Sequence, residues 1–289
     1  MYTKILVALD GSNLAEQILP FVRWIAESNQ IPVQLLTVSD PEARAPFWPA
    51  DVDDSYLKGV AEKYFATPKH VTGAVERGEP AAVIVDCAKG DPTCLIAMAT
   101  HGVSGMRRWL LGSVASKVVQ TATNPLLLMR PVENSAPLTH IGLGSLLVPL
   151  DGSSLAEIVL PQIASLARKI NLKVHLLQVY TLPKSAFVVA DGMFDQGPAV
   201  FREALRKEAE TYLGAKAAQL RSEGVDQIMT SAVEGDPASE IIDSARAASD
   251  NLIAMSTHGR SGITRWALDS VAERVIHHSG DPVLIIRPT

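Results

Sequence analysis

Gly102 and Gly112 are separated by nine intervening residues, Ser113 follows the second, and Ala99 lies three positions before the first. Small residues at this spacing, set between an apolar run and a helical one, let backbone N–H groups come close to an anion, and the Ser113 hydroxyl adds a donor at the helix start. The chemistry this pattern points to is phosphate binding. His101 and Val114 flank these positions, Ala8 and Asp10 close an apolar run near the N-terminus, and a second run ends at Val38, where an apolar side chain could touch a flat base. In a doubly wound sheet such run ends converge where the winding reverses, outside the carboxyl ends of the strands.

The chain then repeats itself. Ile96 to Gly102 and Gly112 to Ala115 return as Ile253 to Gly259 and Asp269 to Ala272, at an offset of 157. Lys4 to Ser12 returns as Ser145 to Ser153 at an offset of 141, so the second copy carries 16 extra residues in its middle. A repeat of this length means two copies of one domain. The expected boundaries are residues 1–131 for the first, 132–144 for a linker rich in Pro, Gly, Ser and Asn, and 145–289 for the second.

The copies differ at the chemistry. Ser256 stands for Ala99 and Asp269 for Gly112, while Gly259 and Ser270 keep their places. A carboxylate about 5 Å from a phosphate, at an effective dielectric near 20, repels it by roughly 3 kcal/mol per charge pair. The same carboxylate caps the helix that begins at Ser270. The second copy is therefore expected to be structural, with a magnesium ion bridging Asp269 to phosphate as the one arrangement that would offset the repulsion.

These residues need a scaffold, and the periodicity supplies one. Short aliphatic runs at 4–9, 32–38, 70–75, 94–99 and 125–129 alternate with helical stretches, and the order recurs at 145–150, 172–179, 227–233, 251–255 and 282–286. Runs buried on both faces predict a parallel sheet with helices on either side. The central helix of the second copy is expected near 198–223, and its counterpart at 53–66 is shorter, which places the 16 extra residues there. Each fifth strand is an apolar edge that must be covered, so the copies are expected to pair within the chain, with a further homodimer of whole chains.

Composition narrows the function classes. The chain has 289 residues, 47% hydrophobic, with a net charge of −5, which gives no general attraction to nucleic acid or to an anionic membrane. No apolar run approaches the ~20 residues that span a bilayer, and Met1 to Lys4 leads straight into a strand, so the expected compartment is the cytoplasm. Cys87 and Cys94 make no metal or disulfide framework. His101 and His258 lack the partners of a nucleophilic set and read as loop histidines bonded to neighbouring backbone; His277 and His278 suit the negative end of a helix dipole. Arg107, Arg108 and Arg265 read as a solvated face, Trp109 and Trp266 as packing anchors, and Phe47-Trp48, in the Pro-rich stretch 41–49, as packing on the shortened helix.

Asp10 at the end of the first run, Thr100-His101-Gly102, the nine-residue gap, Gly112-Ser113-Val114-Ala115 and the ending Pro125 to Arg130 together resemble the universal stress protein family in its tandem form. The resemblance covers nearly all of both copies. It implies an adenine nucleotide alpha hydrolase-like α/β fold, two doubly wound domains with five parallel strands each in the order 3-2-1-4-5, and pairing along the fifth strand. One branch of the family binds ATP through Gly, two residues, Gly, nine residues, Gly, then Ser or Thr; here the matching positions are Ala99, Gly102, Gly112 and Ser113. The implied function is a stress or regulatory protein with ATP, with or without magnesium, in the first copy, and with turnover no more than slow hydrolysis. The alternative is a scaffold that binds protein partners and no nucleotide.

Overall fold

The computed structural model describes residues 2–40, 53–102, 111–132, 142–182, 197–248, 250–257 and 271–288. In the first half the strands are β1 (Lys4–Leu9), β2 (Val33–Ser39), β3 (Val71–Arg77), β4 (Cys94–Ala99) and β5 (Leu126–Met129). The second half supplies β6 (Ser145–Pro149), β7 (Lys173–Tyr180), β8 (Ile228–Glu234), β9 (Asn251–Ser256) and β10 (Val283–Ile286). All ten form one sheet in the order β3-β2-β1-β4-β5-β10-β9-β6-β7-β8. Each half is the doubly wound 3-2-1-4-5 arrangement. Among the described residues every pairing inside a half is parallel, and the single antiparallel pairing is β5 with β10, with Leu128 opposite Val283 and Leu126 opposite Ile285.

The two apolar edges thus cover one another. Leu126, Leu127 and Leu128 are fully buried, as are Leu284 and Ile285 to within 1%. Fully burying a leucine side chain contributes on the order of 2 kcal/mol, so this seam is part of the core rather than a loose contact between domains.

Helices cover both faces. On one side lie α1 (Asn13–Glu16), α2 (Leu19–Asn29) and α3 (Asp54–Tyr64), with their counterparts α6 (Ser154–Glu157), α7 (Leu160–Ile170) and α8 (Gly197–Ser222); on the other lie α4 (Pro80–Lys89), α5 (Ser113–Thr121), α9 (Pro237–Arg246) and α10 (Val271–His278). Each layer buries a single hydrophobic cluster that runs through both halves. The α2 and α7 helices start with proline in the first turn, where its missing N–H costs nothing, and end on the left-handed residues Gln30 and Asn171. With 11 residues in α3 and 26 in α8, the length difference falls where the sequence placed it.

Across the seam the two halves exchange arginines. Arg130, just after β5, donates through Nη1 to the carbonyl of His277 near the end of α10, and Arg287, just after β10, donates through Nη2 to the carbonyl of Val119 in the last turn of α5. Both carbonyls lie where a helix leaves acceptors without internal partners. On the opposite layer the Tyr2 hydroxyl donates to Gln162 Oε1 on α7 at 2.8 Å. Among the described residues, no helix is long and apolar enough to cross a membrane.

Candidate functional site

The first strand ends in a turn built by its aspartate. Asp10 Oδ1 accepts the Ser12 backbone N–H at 3.0 Å and the Ser12 hydroxyl at 2.6 Å, and Ser12 Oγ in turn accepts the N–H of Ala15 at 3.0 Å. The helix cap is therefore Ser12, with Asp10 fixing the turn that presents it. The other carboxylate oxygen faces the loop after β4. A Cβ added to Gly102 would fall 1.7 Å from Asp10 Oδ2, so the ends of β1 and β4 touch through a glycine that has no room for a side chain.

Gly112 is held in a similar way. Its N–H donates to the Thr100 carbonyl at 2.9 Å, and a Cβ built on it would stand 2.9 Å from that same oxygen. Thr100 is itself tied to the neighbouring strand, its N–H donating to the Met129 carbonyl at 2.8 Å. Gly112 is the N-cap of α5 and offers no side-chain cap, so Ser113, Val114 and Ala115 begin a helix whose first N–H groups meet no capping side chain among the described residues. Such a terminus carries the positive end of the helix dipole and suits an anion. Ser113 is exposed there, and Gly102 and Gly112 are half-buried.

Apolar residues pack on the same side of the sheet as α5. Ala8, Val38 and Val114 belong to one hydrophobic cluster on the α4/α5 face, with Val38 4% exposed and Ala8 and Val114 partly so. Ala99 closes β4, opposite Met129, in ordinary strand conformation and outside the left-handed region, so alanine in that place brings no backbone strain. His101 sits at the loop with Nδ1 3.0 Å from the Thr100 hydroxyl.

Beneath the turn lies a polar latch that sequence reasoning missed. Glu16 at the end of α1 is 7% exposed and accepts the hydroxyls of Tyr56 at 3.3 Å and Tyr64 at 3.0 Å, with Lys63 Nζ at 2.8 Å. Burial, then the Glu16 and Asp10 carboxylates, push the Tyr56 hydroxyl above its ordinary range, which places α3 within electrostatic reach of the site. The second half repeats the device: Glu157 accepts the Tyr212 hydroxyl at 3.0 Å and pairs with Lys216 at 2.7 Å. The recurrence of Glu16 and Glu157 at the 141 offset was the available signal.

In the second half the corresponding turn is kept, with Asp151 Oδ1 accepting the Ser153 N–H at 2.9 Å and hydroxyl at 2.6 Å, but Asp151 is exposed where Asp10 is half-buried. His258, Gly259, Asp269 and Ser270 lie outside the described residues, as do Arg107, Arg108, Trp109, Arg265, Trp266, Phe47 and Trp48. His277 and His278 stand in the last turn of α10, as expected; His277 is 9% exposed and burial holds its pKa below the ordinary value, while Arg130 from the other half and Arg246 donate to the carbonyls of His277 and His278. Among the described residues no group of three or more His, Cys, Asp or Glu side chains is gathered to hold a metal ion, and Cys87 and Cys94 are free thiols.

Comparison with known proteins follows the same duplication. The model of the universal stress protein family matches residues 1–130 and again 143–287. A universal stress protein of Methanocaldococcus jannaschii is 30% identical over 142 residues, covering 49% of this chain and 81% of that protein. A universal stress protein of Mycobacterium tuberculosis strain H37Rv is 25% identical over 303 residues and matches end to end, covering 98% of this chain and 96% of its own length. Among solved structures, a universal stress protein from Archaeoglobus fulgidus shares the fold at a TM-score of 0.65, with 20% identity and 99% of each chain covered. With both halves matched, the chain belongs to the universal stress protein family as a tandem member.

Proposed function

We propose that this protein is a stress-response or regulatory protein that binds ATP, with or without its magnesium ion, in its first domain, residues 1–131, and that the second, residues 145–289, joined through 132–144, serves as a built-in partner. The observation that carries this reading is the N-terminus of α5, where Gly112 offers no capping side chain beside a Gly102 loop that admits no Cβ. Phosphate oxygens would take the N–H groups of Gly102, Ser113 and Val114 and the Ser113 hydroxyl, with His101 and Ala99 at the rim. The base would lie against Ala8 and Val38, and Asp10 would mark the side where sugar and base donors approach. When bound, ATP supplies an anionic ligand whose occupancy can be read by other proteins.

Asp269, in the sequence place of Gly112, argues against a second phosphate site. The reading is of binding, with hydrolysis at most slow. A cytoplasmic location and a homodimer of whole chains belong to the same proposal, and sedimentation at a single-chain mass would remove the dimer. Equilibrium titration with ATP tests the reading itself.

A further inference from the structure

The α5 helix is gripped at both ends. Its N-terminal glycine is bonded to Thr100, and Thr100 to Met129 on β5, so two hydrogen bonds connect the cap to the seam strand that pairs with β10. Its last turn is held from the other half of the chain, by the Arg287 guanidinium on the Val119 carbonyl. Arg287 is 5% exposed, enclosed in the seam, and cannot move away without opening it. A helix of 9 residues, about 13 Å long, behaves as a rigid rod over that distance, so a shift at Val119 is carried to Ser113.

We propose that Arg287 is a positioning residue for the nucleotide site of the first half: its bond from the second half sets where the N-terminal N–H groups of α5 stand relative to the Gly102 loop. This rests on the ATP reading given above. The reciprocal bond, from Arg130 to His277, acts on α10, whose N-terminal side carries Asp269 in sequence; the two arginines are alike as seam contacts and differ in which helix they hold. On this account the second half contributes to the first by fixing its phosphate end.

The test uses the full chain and compares ATP with adenosine, which lacks the phosphates. Arg287→Met is expected to weaken ATP by about tenfold, while adenosine affinity stays within about twofold. Arg287→Lys, which keeps the charge and a donor, is expected to recover most of the loss, leaving about threefold. Tyr2→Phe loosens the seam on the opposite layer and is expected to leave both ligands unchanged. If Arg287→Met does not fold, Arg287→Lys decides alone, through the same split between ATP and adenosine. Unchanged ATP affinity, or equal weakening of ATP and adenosine, overturns the positioning role while the ATP reading stands. A wild-type chain that binds no ATP overturns the reading, and the inference with it.

Discussion

Asp10 and Gly102 meet so closely that a methyl group on Gly102 would lie 1.7 Å from Asp10 Oδ2 and 2.8 Å from its Cγ. Gly102 is not among the left-handed glycines, so the requirement is for space rather than for an unusual backbone angle. The contact joins the ends of β1 and β4, where the winding reverses and a doubly wound sheet binds its ligands.

Gly102→Ala should therefore destabilise the fold by about 1–3 kcal/mol through overpacking. A double-mutant cycle with Asp10→Ala checks the cause: removing the carboxylate makes room for the methyl group, so the combined loss in urea unfolding should fall short of the sum by ~1 kcal/mol. Additive losses would show that the alanine acts elsewhere.

The latch under the turn gives a second test. Tyr64→Phe removes a 3.0 Å hydrogen bond to a carboxylate that is 7% exposed, and the expected cost is about 1–3 kcal/mol. Tyr212→Phe removes the same bond from the half-buried Glu157, where water replaces the lost donor, and should cost less, about 1 kcal/mol. Equal losses in chemical denaturation would contradict the ranking by burial.

A third expectation concerns pH. Burial raises the Asp281 pKa to about 6, against a nearby Arg246 that lowers it. The folded state therefore holds this proton more firmly than the unfolded one, and the carboxyl weakens the fold progressively as pH rises from about 4 through 6. The first half has Asn124 at the same place, where it is 1% exposed and donates to the carbonyls of Ala88, Asp91 and Cys94. Asp281→Asn should stabilise the protein by about 1–2 kcal/mol at pH 7.5, allowing for partial exposure, and by nothing near pH 4. Unfolding curves at the two pH values check it, and a gain independent of pH would contradict the titration account.

Strands and helices were legible because the aliphatic runs bury both faces, the order 3-2-1-4-5 came with the family resemblance, and two apolar edges pointed to pairing of the copies, whose antiparallel direction only the structure gives. Gly102, Gly112 and Ser113 were singled out as candidates by their spacing. The reason Gly102 must be glycine was not legible, because Asp10 lies 92 positions away and meets it only once β1 and β4 pair. The roles of Arg130 and Arg287 were hidden for the same cause: the repeated Arg-Pro ending is visible, but each arginine acts on a helix of the opposite copy. In the second copy the job of Asn124 has moved to Asn251, which donates to the carbonyls of Ala245 and Ala248, an exchange that no local pattern announces.

The central claim is that the first half holds ATP at the α5 N-terminus. Calorimetric titration of ATP into the purified full chain and into Gly112→Asp tests it most directly. The account predicts saturable binding below millimolar at one site per chain, weakened more than about a hundredfold by the introduced carboxylate, which adds charge repulsion of roughly 3 kcal/mol to the steric conflict with the Thr100 carbonyl. Absence of saturable binding, or binding that survives Gly112→Asp unchanged, would contradict it and leave the paired halves as a scaffold without nucleotide.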